Sequence, residues 1–338
     1  MQQQESTGSP RRLLVFNCHE AWVYQLGVLG CDLDIVIGLK GMYKPTWDQQ
    51  MRPLPAHSRL ITLSDAIASH TDYYCIIGHN TTDLMDVKDR DEPRLMVIHS
   101  TIQGRTAEER SQVGADQMKQ MLATYLNVVG AHAVATSDLK SRSWGVSEDV
   151  VPIAVDAAHY PQYSGEKPCG LRICNFIDSR KRILLWDFHE EAFAGIDVRL
   201  VGHNPGMADV SAAANWSDLK KILRSHRFYI HTADPQMEDG YNMATLEAMA
   251  AGLPVLGNRH PGSPIRHGKS GFLSDDPAAL AKYARMLIED RHLARLMGAQ
   301  ARKTAIEHYS MLPFKAGFLR SIELARAKWA ASHQSVHR

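Results

Sequence analysis

The sequence predicts an α/β protein built from two parallel-sheet domains, and three observations carry that prediction. Short apolar runs with strand character alternate with helical patterns through both halves of the chain. Such alternation gives a parallel sheet with helices on both faces. The length of 338 residues accommodates two domains of ordinary size. Between the two alternating series lies PQYSGEKPCG (161–170), polar and rich in proline and glycine, as a linker is.

In the first half RLLVFN (12–17), LDIVIGL (33–39), RLITL (59–63), YCIIGH (74–79), RLMVIH (94–99) and AHAVAT (131–136) read as strands. Helical patterns fall over 20–29, at SDAIASH with Ser64 as cap, over 106–130 with Gly114 as a weak point, and at SDLKSRSWG capped by Ser137. Residues 41–58 form a long loop with three prolines and two aromatic residues; loops of this length are either functional or mobile. Ligands of parallel sheets gather beyond the carboxyl ends of the strands. That rule brings forward His19, His79 and His99, each at or just after a strand end. For His79 the plainer reading, a hydrogen-bonded loop residue, is preferred.

The second half repeats the alternation. LRICNFI (171–177), IDVRLVG (196–202), FYIHTA (228–233) and LPVLGN (253–258) read as strands. DSRKR is a basic turn before a helix from about Ile183, and DLKKILRSH is a helix with Ser217 as cap. Pro277 opens a helix at its first position, over 277–289, and a second basic helix runs over 291–308. The tail from Met311 is helical and basic.

Composition narrows the function. Hydrophobic residues make up 44% and charged residues 22%, with a net charge of +1; no nucleic-acid partner recognised by bulk charge is expected. Five cysteines, at 18, 31, 75, 169 and 174, include no CxxC pair, which suits reduced thiols in the cytosol. Residues 1–10 form a polar arm. No apolar run approaches the ~20 residues of a membrane span, so neither export nor spanning is expected. No GxGxxG follows the first strand, which argues against an ordinary NAD enzyme.

The most informative stretch is DGYNMATLEAMAAG, 239–252. Gly240 permits an unusual backbone, Asn242 is a good N-cap, and Met243 to Ala251 consists of strong helix formers with Thr245 as the exception. Gly252 ends the helix and Pro254 prevents its continuation. A helix therefore opens at a loop, with free N–H groups and about half a positive charge at its start. That end suits a phosphate. Glu247, in the second turn, can accept hydrogen bonds from a sugar hydroxyl, or can be an ordinary carboxylate on an amphipathic helix.

Asp239, seven residues, Glu247, then AMAAGLPVLGN and HPGSPIRHGKSGFL resemble the C-terminal signature of retaining GT-B glycosyltransferases, of the family-four or "group 1" type. The block AHAVATSDLKSRSWGVSEDVVPIAVDAAHYP resembles the family segment that ends the first domain. The resemblance covers roughly 94–308. It implies an acceptor-side Rossmann-like domain over 1–157, a nucleotide-sugar donor domain over 158–308, parallel sheets facing a central cleft, and a terminal helix over 309–338 returning to the first domain. It implies that the first acid contacts the transferred sugar and the second holds the nucleotide ribose. The first acid is usually Glu, so either Asp239 or Glu238 fills that place. The neighbouring Gly240, Tyr241, Asn242 and Met243 are implied donor contacts. One of Arg180, Lys181 and Arg182 is implied to bind the diphosphate, with Lys181 the closest match; the family's partner Arg falls on Asn175. His203 lies in a turn that resembles the Gly-containing one near the base, so it could stack on or bond to the donor, or the segment could be a simple tight turn. His99 is the strand-end His facing the transferred sugar, orienting and polarising while the leaving phosphate takes the acceptor proton. The first loop, NCHEAW, lacks the glycines usual in the family, which suggests that His19, Glu20 or Trp22 shapes the acceptor side. The 41–58 loop could cover an acceptor sugar.

The expected activity is transfer of a sugar from a nucleotide diphosphate, UDP or GDP, to a carbohydrate or lipid-linked hydroxyl. No cofactor and no metal are implied, in keeping with the lack of a clear Asp-x-Asp metal site. The expected location is the cytoplasm, with the basic tail also suited to the inner face of a membrane. The sequence leaves oligomeric state, sugar and acceptor open. Two alternatives share the fold: a sugar-nucleotide epimerase, and a non-catalytic nucleotide-sugar-binding or scaffold protein, motivated by Asp239, Asn175 and the glycine-free first loop.

Overall fold

A computed structural model of the protein describes residues 11–41, 44–109 and 111–334. The polar arm at 1–10, Met42 and Tyr43 of the long loop, and residues 335–338 of the tail lie outside the described residues. The described strands fall into two sheets. The first holds β1 (Arg12–Phe16), β2 (Asp32–Ile37), β3 (Ser58–Thr62), β4 (Cys75–Gly78), β5 (Arg94–Ile98) and β6 (His132–Ala135) in the order 3-2-1-4-5-6. The second holds β7 (Lys167–Ile173), β8 (Val198–Val201), β9 (His226–Ile230), β10 (Val255–Gly257) and β11 (Gly271–Leu273) in the order 11-10-9-7-8. The pairs around β1 and β9 run parallel. The central strands are buried on both faces, from Leu13 to Phe16 and from Phe228 to Ile230, as a sheet covered by helices on both sides requires. This is the doubly wound architecture that the alternating pattern predicts.

Contacts group residues up to Val97, Leu122–Val134 and those from Phe318 into one compact unit. Ile98–Met121 and Ala135–Gly317 form the second. In the first unit Asp34 is fully buried and takes two bonds from Arg59 and one each from Arg12 and Tyr73, all at 2.7 Å. Asp32-Leu33-Asp34 does have Asp-x-Asp spacing, which the sequence reading passed over. Its carboxylates are taken by guanidinium groups, since Arg12 reaches Asp32 as well. Burial pushes the Asp34 carboxyl up, but these donors outweigh it and hold it below the ordinary range.

In the second unit the helix Met243–Ala251 is mostly apolar, and Thr245 to Ala251, Glu247 included, are all buried. A helix of that kind belongs inside a protein. It ends at Gly252, whose φ of 87° only glycine adopts without strain. Helix Arg291–His308 presses on that end: a Cβ on Gly298 would run into the carbonyl oxygen of Gly252.

Several element boundaries differ from expectation for local reasons. Thr62, not Ser64, caps helix Leu63–Ala68, because Thr62 and Asp65 satisfy each other's backbone N–H in a capping box. Asn215, not Ser217, caps helix Trp216–Ser225, accepting from the Asp218 N–H at 2.9 Å. The single helix expected over 106–130 is two, Ile102–Glu109 and Ala115–Val128, parted just before Ala115 beside the poor helix former Gly114. Part of the expected linker is sheet: β7 begins at Lys167, paired with His226. No helix starts at Ile183. Short helix Ile177–Arg180 precedes a turn, and helix Trp186–Ala192 follows.

Because Gly298 fixes the approach of two helices, Gly298→Ala is expected to destabilise the protein by about 1–3 kcal/mol, the usual cost of overpacking. Urea denaturation of the variant against the parent measures it; unchanged stability would mean that the helices part without cost.

The acidic segment as a candidate active site

β9 delivers the chain into His231–Gly240, and a set of hydrogen bonds fixes its path. Asn258, just past β10, accepts from the Ala233 N–H and donates to the Ala233 carbonyl, both at 3.0 Å. Thr101, two residues after His99, donates to the Met237 carbonyl at 2.7 Å. Gly104 lets that carbonyl approach, since a Cβ there would meet it. The His260 ring accepts from the Gly262 N–H through Nδ1, which leaves Nε2–H to donate to the Glu238 carbonyl at 2.9 Å. His231 Nε2 lies 3.1 Å from the Asp239 carbonyl. Gly240 is required here, because a Cβ would stand 2.6 Å from His260 Nδ1.

The two acids then meet two cations. Lys140 Nζ lies 2.7 Å from Asp239 and 3.4 Å from Glu238. Arg180 lies 3.2 Å from Glu238 and 2.7 Å from Glu108. Burial pushes the Glu238 carboxyl up, but Lys140 and then Arg180 outweigh it, so it titrates below the usual carboxylate range. Burial likewise pulls Lys140 down, and Glu238 and Asp239 more than restore it. The histidines stay neutral: burial lowers His231 to about 4 and lowers His260 as well. The main chain next turns into the helix. Asn242 accepts from the Thr245 N–H at 2.9 Å, as the sequence predicts. Tyr241 is buried edge-on to Tyr309, ring centroids 5.0 Å apart. Met243 is half-buried in the first turn, and Glu247 is 4% exposed in the second.

Of the three basic candidates, the structure brings only Arg180 to the acids. Lys181 is exposed and pairs with Asp178 at 3.2 Å, and Arg182 is exposed. Helix Ile177–Arg180 opens from Phe176, held at φ 55°, and the following turn closes on Leu185 at φ 47°. Two non-glycine residues in the left-handed region are a strained way to place one arginine. Asn175 serves as a scaffold, accepting from the His203 N–H at 2.8 Å, while the half-buried His203 ring meets Phe176 edge-on at 5.2 Å. His99 is half-buried directly after β5. In the first unit, His19 is exposed ahead of helix Glu20–Val23, and Trp22 is a core residue packed against His79 and Phe318. His79 bonds the Phe16 carbonyl at 2.8 Å, the plainer role. Sequence reasoning missed Lys140, Glu108, Thr101, His231 and His260. The helix carrying Lys140 was legible, but its partners are a hundred residues away.

The contrast between neighbours is testable. Arg180→Ala removes one of the two cations on Glu238 and the partner of Glu108, and is expected to cost about 2 kcal/mol, below the ~3–5 of a fully buried pair. Lys181→Ala breaks only a surface pair, worth at most ~1 kcal/mol. Equal costs in urea denaturation would contradict this division.

Residues 195–290 match the family described as glycosyl transferases group 1. N-acetyl-alpha-D-glucosaminyl L-malate synthase of Bacillus anthracis is 37% identical over 76 residues, 21% of this chain and 20% of that protein. The fold resembles Anabaena HepE, solved with UDP-glucose, at a TM-score of 0.69 and 13% identity over 93% of this chain and 99% of that one. It also resembles S. aureus TarM, solved as a variant with UDP, fondaparinux and alpha-GlcNAc-glycerol, at 0.56 and 14% over 73% and 55%. The chain thus spans a fifth of the curated relative and about half of TarM. Among the described residues no helix is long and apolar enough to cross a membrane. The protein therefore has a GT-B fold, and its residues 195–290 are similar to the group 1 glycosyltransferases.

Proposed function

We propose that this protein is a retaining glycosyltransferase that moves a sugar from a nucleotide diphosphate, UDP above the others, to a hydroxyl of a carbohydrate or lipid-linked acceptor. One observation carries the reading: the paired acids Glu238 and Asp239 run directly into a buried helix whose N-terminus is capped by Asn242. A helix start offers unsatisfied N–H groups and positive potential, which suit a diphosphate. Arg180 adds a cation beside it, favoured over Lys181 because it lies at the acids. Fixed positive groups there would stabilise the charge that builds on the leaving diphosphate more than they stabilise the ground state. The carboxylates would accept hydrogen bonds from the hydroxyls of the transferred sugar, and Glu247 from the ribose. UDP is preferred because HepE was solved with UDP-glucose and TarM with UDP. The reading needs no metal.

A thermal-shift panel of UDP, GDP, ADP, TDP and CMP tests it, followed by UDP-glucose and UDP-N-acetylglucosamine. UDP at 100 times its Kd is expected to stabilise by about 2.7 kcal/mol. Glu247→Ala is expected to weaken UDP about tenfold, the ~1.4 kcal/mol of one hydrogen bond. A flat panel would overturn the transferase reading in favour of a non-catalytic descendant. Retention is checked separately by proton NMR of the first product, where the anomeric configuration must match that of the donor.

A further inference from the structure

Lys140 is an unusual residue for its place. It is the third residue of helix Asp138–Trp144, whose Ser137 cap accepts from the Lys140 N–H at 3.2 Å. A cation in the first turn opposes the helix dipole, typically by 0.3–1 kcal/mol. Its side chain is also only 9% exposed, and burying an ammonium is costly unless it is paired. Local helix stability therefore gives no reason for a lysine here. Its ammonium instead reaches two carboxylates that are adjacent in the chain, Asp239 and Glu238. Like charges that close cannot both stay ionised in a buried site without cations. Arg180 is the other cation on the pair, and it is shared with Glu108.

We propose that Lys140 is a positioning residue of the donor site, holding Asp239 and Glu238 side by side as the ionised pair that reads the hydroxyls of the transferred sugar. The proposal rests on the glycosyltransferase reading and deepens it. The family signature puts a longer Glu where this chain has Asp239; here the shorter side chain makes room for an ammonium. The groups that face the pair are few. Lys140 meets both acids, Arg180 meets Glu238 and is held by Glu108, and Tyr241 and Tyr309 stand near Asp239. The neutral rings of His231 and His260 meet the two acids at their main-chain carbonyls. With five charged side chains, three acidic and two basic, the cluster keeps a net negative charge. It therefore suits a neutral sugar, whose hydroxyls donate to carboxylate, over an anionic one.

Without the ammonium, Arg180, which meets Glu238, is the cation that remains at the pair among the described residues, and Glu238 takes a proton at higher pH. Ionisation, and with it sugar binding, then returns as pH rises. The test compares parent, Lys140→Met and Lys140→Arg by titration calorimetry with UDP, UDP-glucose and UDP-N-acetylglucosamine at pH 6, 7 and 8. In the parent, one of the nucleotide sugars is expected to bind more tightly than UDP, with an increment that is flat in pH. In Lys140→Met that increment is expected to fall about tenfold at pH 6, one unit of carboxyl titration, and to recover toward pH 8. UDP itself should stay within about twofold, which also shows that the variant is folded. Lys140→Arg is expected to restore the flat profile. An increment in Lys140→Met equal to the parent's at every pH would overturn the role of Lys140. So would a parallel loss of UDP and nucleotide-sugar affinity without pH dependence, the mark of a purely structural ion pair. A parent that binds none of the three ligands would instead overturn the transferase reading, and the proposal with it.

Discussion

Two neighbouring carboxylates in a buried loop are an electrostatic problem, and much of the second unit is arranged to solve it. Glu238 and Asp239 share one peptide bond, so the chain cannot separate them by more than a residue's length. Burial pushes Glu238 toward its neutral form. The fold brings an ammonium from helix Asp138–Trp144 and a guanidinium from helix Ile177–Arg180. Both cations depend on secondary features. Ser137 starts the first helix, and the left-handed Phe176 turns β7 into the second. Remove either device and a cation moves while the acids stay.

The same loop avoids adding further charge. His231 and His260 donate to the carbonyls of Asp239 and Glu238 as neutral rings, kept so by burial. Their pH linkage has the same sign as that of Glu238. Folded histidines with lowered pKa values refuse protons that the unfolded chain accepts below about pH 6.5. A carboxylate with a lowered pKa adds stability above the unfolded value and loses it as pH falls through the folded one. Acid thus weakens the loop through both kinds of group. Lys140 works from the other end, its raised pKa stabilising below the unfolded value near 10.4 and ceasing to do so as pH rises past the folded one. The loop is electrostatically secure across neutral pH.

What could be read in the sequence was what neighbouring residues decide. The alternation of strands and helices gave the doubly wound class, and Asn242, Gly252 and Pro277 mark helix ends that the structure keeps. The caps lie at Thr62 and Asn215 instead of Ser64 and Ser217, because Thr62 forms a capping box with Asp65 and Asn215 accepts from the Asp218 N–H. The candidate site was legible only on one side. The acids, the cap and Glu247 lie within ten residues, so their relation is local. The choice among Arg180, Lys181 and Arg182 was not legible, because a four-residue helix between two left-handed residues decides which of them turns inward. Lys140 was invisible for a stronger reason: nothing within its own helix asks for it.

Asp239 looks, in sequence, like a loss, one methylene short of the acid that the family signature carries. The structure supplies a physical reason why shortness need not mean decay. Asp239 has a lysine ammonium at 2.7 Å, so the shorter acid carries a fixed ionic partner. Apolar residues of similar volume often stabilise a fold as well as a buried ion cluster, or better. A protein selected for stability alone has no need of three carboxylates and two cations gathered at one loop, with strained residues flanking the segment that holds Arg180. Such an arrangement makes sense where a polar ligand takes over some of the hydrogen bonds the cluster now makes with itself. Asp239 and the ammonium that meets it, with Glu238 and Arg180 beside them, are therefore one coupled feature of this loop.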